Sequence, residues 1–532
     1  MFRKRLRVFI VVLGTVLGGC GGGGSGLPGQ SPDNLSSRLD CSREIGPEAQ
    51  GIPSEERIFG WIVDLVNIGH RRTGTPEGRM AADYVRCQFE KLGLEDVHYE
   101  TATSWNWQST TSSLLLNGEP IDSSPVLHSF VTPGEPSEFS TGPEGLTAEI
   151  VDVGLGTPAE MTLRDVEGKI VMFDLKFLLP PAGFAAFIEF LWDPGLTIVE
   201  PSFFVGNPYI TTLETAAEAA MEAGAVGFVG VLADYFNSNQ YGNEFYRRTE
   251  ITIPGFWVSP KDGARMRQMM ADSQGPSHAT LHMQGSREKA EARTVVGFLP
   301  GKSMDTIMVQ SHHDSVFNGA VEDGSGTAAV LAQAQYFASQ PPESREKTLM
   351  FATFDSHFTG YQQHRAFVQK YVINKETPYN IVANVTLEHI GKQGTKDSDG
   401  NLVITDQPEI RGVIENLGPT LKASLINSII THDLRRTAVL QGHVMCPAGL
   451  MPTDAGFMCA SGVPTVSLIA GPNYLYDAAD TLDKVHREDL VPVTKTFIDL
   501  IEAIDETPSS LIGVPIVPGI LTELLYETLS QD

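Results

Sequence analysis

The chain has 532 residues, of which 41% are hydrophobic and 19% are charged. This length and composition are typical of a globular protein with two or three domains and a large buried core, and they exclude a disordered chain. The formal net charge is −27. A protein this acidic is a poor candidate for binding nucleic acid, because its surface repels the phosphate backbone.

The first 20 residues have the pattern of an export signal. Basic residues at positions 3–7 precede an apolar run at 8–16, which is too short to span a membrane comfortably. The signal ends in LGGC, which resembles the cleavage box of bacterial lipoproteins and predicts a lipid-carrying Cys20. The expected product is an exported bacterial lipoprotein anchored to a membrane, with residues 21–50 as a flexible tether. A short transmembrane anchor and an ordinary secretory signal are the alternatives.

Four further cysteines are expected to form two disulfides, because an exported protein meets an oxidising compartment. They are Cys41, Cys87, Cys446 and Cys459. Proximity in the sequence favours Cys446–Cys459, which leaves Cys41–Cys87. Free buried thiols are the alternative.

Residues 51–139 combine predicted helices and strands, as expected for the first part of a domain that contains both. Amphipathic helices are predicted at 53–68 and 79–92, followed by strands at 97–103 and 112–116.

A different pattern covers residues 140–290 and predicts a separate β/α domain. Strands at 147–153 and 226–231 enclose an alanine-rich helix at 214–224. Residues 177–204 are rich in Phe, Leu and Pro and read as an insertion. We expect this insertion to pack on the neighbouring domain, with a lid over a site as the alternative.

From 294 to 505 strands and helices alternate, which predicts an α/β domain with a mostly parallel sheet between two helical layers. Residues 291–507 therefore complete the domain that begins at 51–139. The tail at 508–532 is expected to form a short helix docked on the body.

The segment 311–326, SHHDSVFNGAVEDGSG, gathers imidazoles and carboxylates between an apolar strand and a helix. Binding side chains of an α/β sheet lie at the carboxyl ends of its strands, so this segment predicts a zinc site there. In a His-x-Asp pair, the Asp accepts a hydrogen bond from the histidine and so orients the ring that binds the metal. A polar loop with a capping Ser or Asp is the alternative.

These residues resemble the di-zinc aminopeptidases and the glutamate-carboxypeptidase-like exopeptidases, whose pattern is His-x-Asp-Ser followed by Gly-Ala-x-Asp-(Asp/Asn)-Gly-(Ser/Thr)-Gly. The resemblance covers most of 53–505 and includes TVVGFLPG at 294–301, KTLMFATFD at 347–355, LEHIG at 387–391 and GVPTVSLIA at 462–470. It implies a zinc-exopeptidase fold, and it identifies 140–290 as an inserted protease-associated domain.

The resemblance also implies which residues hold a metal. His312 matches the histidine of the first metal, and Asp314 matches the Asp that orients it. Glu322 matches the bridging carboxylate, although a shorter loop leaves Asp323 as an alternative. Glu388 matches the other ligand of the first metal.

The second metal site departs from the family pattern. The family's Phe-Asp-x-Glu-Glu-x-Gly contains a general base and a metal ligand, but here these positions hold His357 and Phe358. The second metal's histidine falls on Tyr476 or Asp477. The sequence therefore predicts one metal ion, with His357 as a fourth ligand or as the catalytic base. Zinc suits this ligand set, and manganese and iron remain open.

Other histidines near the motif are given no role in the site. His313 and His389 are expected to point away from it, and His364 reads as an ordinary helix residue.

Two functions follow from the sequence. One is a lipid-anchored metallohydrolase that cleaves peptide or amide bonds in peptide or aminoacyl substrates. The other is a non-catalytic relative that binds a peptide or a protein in the cleft that corresponds to the family's active site. The missing Glu-Glu pair favours the second function, because loss of a general base costs orders of magnitude in rate. The family resemblance favours the first function, and the metallohydrolase is the one that we expect.

Replacing Cys20 with Ala is expected to abolish membrane association without unfolding the domains, because the lipid is the predicted anchor. Fractionation of cells that express each form, followed by a salt wash of the membranes, measures this. A Cys20→Ala protein that stays with the washed membranes would show that something else holds it.

Overall fold

The computed structural model describes residues 50–198, 206–242, 249–446, 451 and 453–514. The export signal with Cys20, the tether up to residue 49, Cys41 and the predicted tail helix beyond residue 514 lie outside the described residues. Among the helices of the described part, none combines the length and apolar character that a membrane span requires.

The described residues contain helices whose starts carry ordinary capping signals, such as Ser54 before the first of them and Thr75 before the second. They are α1 (Glu55–Ile68), α2 (Pro76–Lys91), α3 (Pro158–Leu163), α4 (Leu213–Glu222), α5 (Pro260–Asp272), α6 (Gly326–Ala338), α7 (Gln362–Val368), α8 (Pro419–Thr431), α9 (Gly442–Met445), α10 (Ala455–Ala460) and α11 (Leu490–Glu506).

The strands of the described residues are of two kinds, two very long ones and many short ones. They are β1 (Glu95–Leu116), β2 (Glu119–Ile121), β3 (Ser124–Pro125), β4 (Ser137–Ser140), β5 (Leu146–Asp152), β6 (Ile170–Asp174), β7 (Phe177–Leu179), β8 (Ile188–Trp192), β9 (Asn207–Thr211), β10 (Gly227–Val231), β11 (Gly255–Val258), β12 (His278–Leu299), β13 (Ser303–His312), β14 (Lys347–Phe354), β15 (Asn380–Leu387), β16 (Lys392–Lys396), β17 (Leu402–Pro408), β18 (Arg411–Glu415), β19 (Thr437–Gln441) and β20 (Thr465–Ala470).

Two long antiparallel strands, β1 and β12, connect a larger and a smaller lobe. Their pairing runs from Glu95 opposite Phe298 to Leu116 opposite Ala279. The sequence predicted two separate strands here, at 97–103 and 112–116. The Ser- and Thr-containing stretch between them continues the strand, because it pairs with β12 along its length and buries Ser104 and Trp107.

The larger lobe is a sheet covered by helices on both faces, as the sequence predicted. Its centre is parallel, in the order β14-β13-β15-β20, and antiparallel pairs flank it on both sides. Helices α1, α6, α8 and α11 pack together as one layer, and α7 and α10 cover the other face. Each face has its own apolar core, and Phe354, Phe367 and Phe457 belong to the core beneath α7 and α10.

The smaller lobe is built on the parallel strands β5-β6-β10-β11, with β3 antiparallel at the edge. Helices α3 and α4 precede β6 and β10, and α5 follows β11. The four parallel strands lie within 140–290, but the edge strand β3 precedes that range, and β8 from within it pairs with the larger lobe. The domain bounds 140–290 stay a prediction. The assignment of this lobe as a protease-associated domain stays a prediction.

The described part of the insertion, residues 177–198, packs on the larger lobe, as we expected. Its strand β8 pairs antiparallel with β19 and so adds an edge strand to the larger sheet. The indole N–H of Trp192 donates a hydrogen bond to the Asp433 carboxylate across this contact. The insertion is therefore a structural part of the larger lobe.

Cys446 and Cys459 form a disulfide, as predicted from their proximity. Cys87 is also disulfide-bonded, and its predicted partner Cys41 lies outside the described residues.

Replacing both Cys446 and Cys459 with Ser is expected to lower the free energy of unfolding by about 3 kcal/mol, because the bond closes a loop with a sequence separation of 13. Chemical denaturation of the two proteins, without reductant, measures the difference. An unchanged midpoint in the double variant would contradict a stabilising role for this bond.

Candidate metal centre

The candidate site lies where three adjacent parallel strands end. His312 is the last residue of β13, His357 opens the turn His357–Thr359 after β14, and Glu388 and His389 follow β15. Because β14, β13 and β15 are neighbours in the sheet, these four side chains meet at its carboxyl edge.

The Glu322 carboxylate lies among three histidine rings. Its Oε1 is 3.1 Å from Nε2 of His312 and 3.7 Å from Nε2 of His357, and its Oε2 is 2.5 Å from Nε2 of His389. All four residues are at most 3% exposed. The turn Ala320–Ser325 ahead of α6 carries Glu322 to this position.

Each ring is held at its other nitrogen. Nδ1 of His312 faces Asp314, 3.3 Å from the carboxylate. Nδ1 of His357 lies 2.8 Å from Oδ1 of Asp454, and Nδ1 of His389 lies 2.7 Å from a backbone carbonyl. An acceptor at Nδ1 fixes the proton there in a neutral ring and leaves Nε2 as the ligand or base. All three rings thus present Nε2 to Glu322.

Left-handed backbone conformations occur next to these rings. Ser356, Tyr361 and His389 have φ values of 68°, 62° and 61°. Such conformations cost about 1 kcal/mol or more for residues other than glycine, and they persist where the surrounding structure fixes them. They turn the His357 segment and the His389 ring into the centre.

The facing atoms of this cluster fit a metal ion. His312 Nε2, His389 Nε2 and both carboxylate oxygens of Glu322 are buried and have no hydrogen-bond partner outside the cluster. A cation bound by these converging nitrogen and oxygen atoms would compensate the buried carboxylate. Among the described residues, two sets of possible ligand atoms lie within 4.8 Å of one another: His312, Asp323 and His389, and His312, His357 and Asp454. A set of this kind suits zinc.

The charges of the cluster depend on one another. Burial disfavours protonation of His389, but Glu322 outweighs this effect and raises the pKa of His389 to about 9. Burial alone would raise the pKa of Glu322, yet His389 and His312 hold it well below its usual range. Burial and the nearby Asp454 raise the pKa of Glu388 well above its usual range. Glu322 is therefore the anionic member.

Asp323 is the less suitable of the two candidate bridging carboxylates. Its Oδ1 accepts hydrogen bonds from the backbone N–H groups of Gly326, at 2.9 Å, and His389, at 3.3 Å. Its Oδ2 accepts a hydrogen bond from the Ser311 hydroxyl. Asp323 thus caps the start of α6, whereas Glu322 keeps both oxygens for the centre.

Glu388 is buried beside the cluster, and its Oε1 accepts a hydrogen bond from the backbone N–H of Asp454 at 3.2 Å. Its role as a metal ligand stays a prediction.

Two expectations about histidines were wrong. His389 points into the centre rather than away from it. His364, read as an ordinary helix residue, is buried on α7, with Nε2 2.9 Å from Oδ2 of Asp454. His313 does point away, since its Nδ1 lies 3.1 Å from the Thr353 hydroxyl.

Asp454 is a site residue that the sequence analysis missed. Its carboxylate lies between His357 and His364 and orients both rings. The only signal in the sequence is a Thr-Asp pair before the short helix α10, which reads equally well as a helix cap.

Aromatic side chains occupy the positions that match the second metal site of the family pattern. The rings of Phe358 and Tyr476 meet edge to face at 5.4 Å, and Phe358 also faces His312 at 6.2 Å. Asp477 accepts a hydrogen bond from the backbone N–H of Ala479 and is buried, which raises its pKa to about 7.

Arg71 acts as a clamp, because its side chain donates hydrogen bonds to the loop between His312 and Glu322. The side chain is fully buried, which lowers its pKa only to about 10, so it stays charged at neutral pH. It donates hydrogen bonds to four backbone carbonyls, those of Leu65, His313, Asn318 and Gly319. The clamp ties α1 to both ends of the loop between His312 and Glu322.

The residues that carry this centre lie in a segment that matches a known family. Residues 294–501 match Peptidase family M28. The relationship to zinc exopeptidases and the α/β fold expected from the sequence are thus confirmed.

Proteins named carboxypeptidase Q are similar to this chain. Carboxypeptidase Q of Bos taurus is 23% identical over 339 residues, which are 61% of this chain and 65% of that protein, just under two thirds of its length. Carboxypeptidase Q of Homo sapiens is 21% identical over 449 residues, 82% of each chain.

Two solved structures share the M28 fold with this chain. A peptidase M28 precursor from Shewanella amazonensis SB2B has a TM-score of 0.64 at 18% identity, covering 91% of this chain and 98% of its own. A zinc aminopeptidase from Bacillus subtilis has a TM-score of 0.58 at 17% identity, covering 87% and 99%. At these identities the similarity concerns the fold alone.

Replacing Arg71 with Met is expected to lower the free energy of unfolding by at least about 3 kcal/mol, because several buried carbonyls lose their donor. Arg72→Met is the matched control. Arg72 donates to one carbonyl, that of Val316, and its loss is expected to cost about 1 kcal/mol. Denaturant unfolding of the three proteins compares the two. Equal losses in both variants would show that the clamp has no special role.

Proposed function

We propose that this chain is an exported, lipid-anchored metallohydrolase of aminopeptidase type that cleaves peptide or amide bonds with a single metal ion, zinc by preference. The observation that carries the proposal is the buried Glu322 carboxylate surrounded by Nε2 of His312, His357 and His389. The M28 family supports metallopeptidase-like chemistry.

The relative orientation of the histidine rings indicates which of them bind the metal. The rings of His312 and His357 stack at 3.9 Å with an angle of 17° between their planes. An imidazole binds a metal with a lone pair in its own plane, so an ion between two parallel rings would lie outside both planes. We therefore assign His312, His389 and Glu322 as ligands. Three protein ligands and one open position are typical of catalytic zinc sites.

We assign His357 as the general base. When bound, the metal supplies Lewis acidity toward the carbonyl of the amide bond. Asp454 accepts a hydrogen bond from Nδ1 of His357, which leaves Nε2 able to accept a proton. The Tyr361 hydroxyl lies 3.3 Å from that Nε2 and helps to orient it. A histidine suits this task near neutral pH, where the family uses a glutamate.

The aromatic pair of Phe358 and Tyr476 supports a single ion. Neither side chain offers the nitrogen or carboxylate ligand that a second zinc ion needs, and their rings pack together at that place.

A non-catalytic peptide- or protein-binding module is the alternative. Two observations favour it: the family's Glu-Glu pair is absent, and the residues of the centre are at most 3% exposed. A closed centre must open before any substrate reaches it.

Elemental analysis of the purified protein is expected to give one equivalent of zinc per chain. His312→Ala and His389→Ala are expected to lose the metal, because each removes a ligand. His357→Ala is expected to keep it while losing at least about 100-fold in kcat on aminoacyl anilides, the usual contribution of a general base. His278→Ala, which changes an exposed histidine of the smaller lobe, is the control for both measurements.

Two equivalents of tightly held zinc would refute the single-ion assignment. Loss of metal from His357→Ala would make His357 a ligand. If the zinc-loaded protein cleaves nothing in a broad aminoacyl and peptide panel, the hydrolase proposal is wrong and the binding module stands.

A further inference from the structure

The disulfide between Cys446 and Cys459 closes the segment that contains Asp454. Cys446 directly follows α9, and Cys459 lies on α10. These helices have four and six residues, and a helix shorter than about 12 residues is marginal without other support. Both cysteines are buried, so the bond is part of the packed interior. The disulfide therefore fixes α10 relative to α9.

Helix α10 supports the surroundings of His357 at two points. Asp454 precedes the helix, and its carboxylate lies 2.8 Å from Nδ1 of His357 and 2.9 Å from Nε2 of His364. Phe457 lies on the helix, with its ring 5.2 Å from that of Tyr361 and 5.4 Å from that of His364. The Tyr361 hydroxyl in turn lies 3.3 Å from Nε2 of His357. A displacement of α10 would thus reach the partners of both ring nitrogens of the base.

The start of α10 lacks the usual carboxylate cap. An Asp in the position of Asp454 normally accepts a hydrogen bond from the first turn of the helix, which is worth about 1 kcal/mol. Asp454 makes no such bond, because its two oxygens face the two histidines. The Thr453 hydroxyl accepts the hydrogen bond of the Ala455 N–H instead. With its carboxylate used for the rings, the helix depends on the disulfide near its other end.

We propose that the Cys446–Cys459 disulfide is a positioning element for the general base, which holds α10 so that Asp454 keeps the His357 ring in the orientation for proton transfer. This proposal rests on the hydrolase function proposed above, in which His357 is the base. A misplacement of about 1 Å, caused by a change far from the chemistry, can lower a rate about 100-fold. The bond can therefore control the rate without touching substrate or metal.

The test compares two double variants of the zinc-loaded full chain. Cys446→Ala with Cys459→Ala removes the bond and adds no buried polar group. Cys41→Ala with Cys87→Ala is the matched control, because it removes the other predicted disulfide, whose described cysteine lies on α2.

The hydrogen bond between His357 and Asp454 is followed directly by NMR of ¹⁵N-labelled histidine. A buried Nδ1–H that donates to a carboxylate gives a downfield signal that exchanges slowly with water, and its absence from His357→Ala assigns it. The signal is expected to be lost from the Cys446→Ala/Cys459→Ala protein and to persist in the control. An unchanged signal in the protein without the bond would overturn the proposal.

The rate is measured with leucine p-nitroanilide. Without the bond, kcat is expected to fall at least about tenfold while KM and the zinc content stay within about twofold of the wild type. The control is expected to match the wild type. Asp454→Asn, which keeps the disulfide, is expected to lose at least as much in kcat. Full activity in Asp454→Asn, or a loss of zinc from the protein without the bond, would overturn the proposal.

Both measurements are made at a temperature at which circular dichroism shows the variant to be folded. If it is unfolded at every temperature, the control protein with its remaining disulfide reduced by a phosphine replaces it, with the same expected losses. Hydrolysis with an unchanged kcat in the absence of the bond would overturn the positioning role alone. A wild type that cleaves no anilide, although its His357 signal depends on the bond, would refute the hydrolase function and leave the disulfide as the support of the His357 ring.

Discussion

The buried negative charge of Glu322 is the constraint on which the centre depends. A carboxylate removed from water must be compensated by charge or by hydrogen bonds, and here the compensation comes from imidazole rings rather than from donors of the loop. The backbone around it is fixed separately, because the N–H groups of Val321 and Glu322 donate to Asp480. The loop is thus rigid while the carboxylate oxygens stay available, which is the combination that a metal ligand requires.

The outer partners show how much of the fold serves this geometry. Asp454 arrives from the segment before α10, 97 residues after His357, and holds two rings at once. Arg71 arrives from the connection after α1, more than 240 positions before the loop whose carbonyls it binds. Tyr209, whose hydroxyl lies 3.2 Å from Nδ1 of His389, arrives from β9, beyond the insertion. Groups from distant parts of the chain therefore fix the rings, as is usual for metal centres in which partners behind the ligands set their orientation.

Features that depend on neighbouring residues could be predicted from the sequence, and features that depend on contacts between distant parts of the chain could not. The strand before His312, the helix after Ser325 and the pairing of Cys446 with Cys459 are read from neighbouring residues. Asp454 leaves only the trace of a helix cap, since its function depends on contacts across the sheet. The direction of the His389 side chain was predicted wrongly. Neighbouring side chains on a strand point to opposite faces, and Glu388 was expected to point into the site, so His389 was expected to point away. The left-handed backbone of His389, with φ of 61°, breaks that alternation and turns the ring toward Glu322.

The side chains at the positions that match the family's second metal site form one packed unit. Phe358 contacts His312, His357 and Tyr476, so it holds both imidazole rings in place as well as filling space. A carboxylate at position 358 alone would face the Tyr476 ring, while the stacked pair of His312 and His357 would lose an apolar neighbour. The histidine at 357 and the aromatic pair are therefore parts of one arrangement, in which a change at one position disturbs the others.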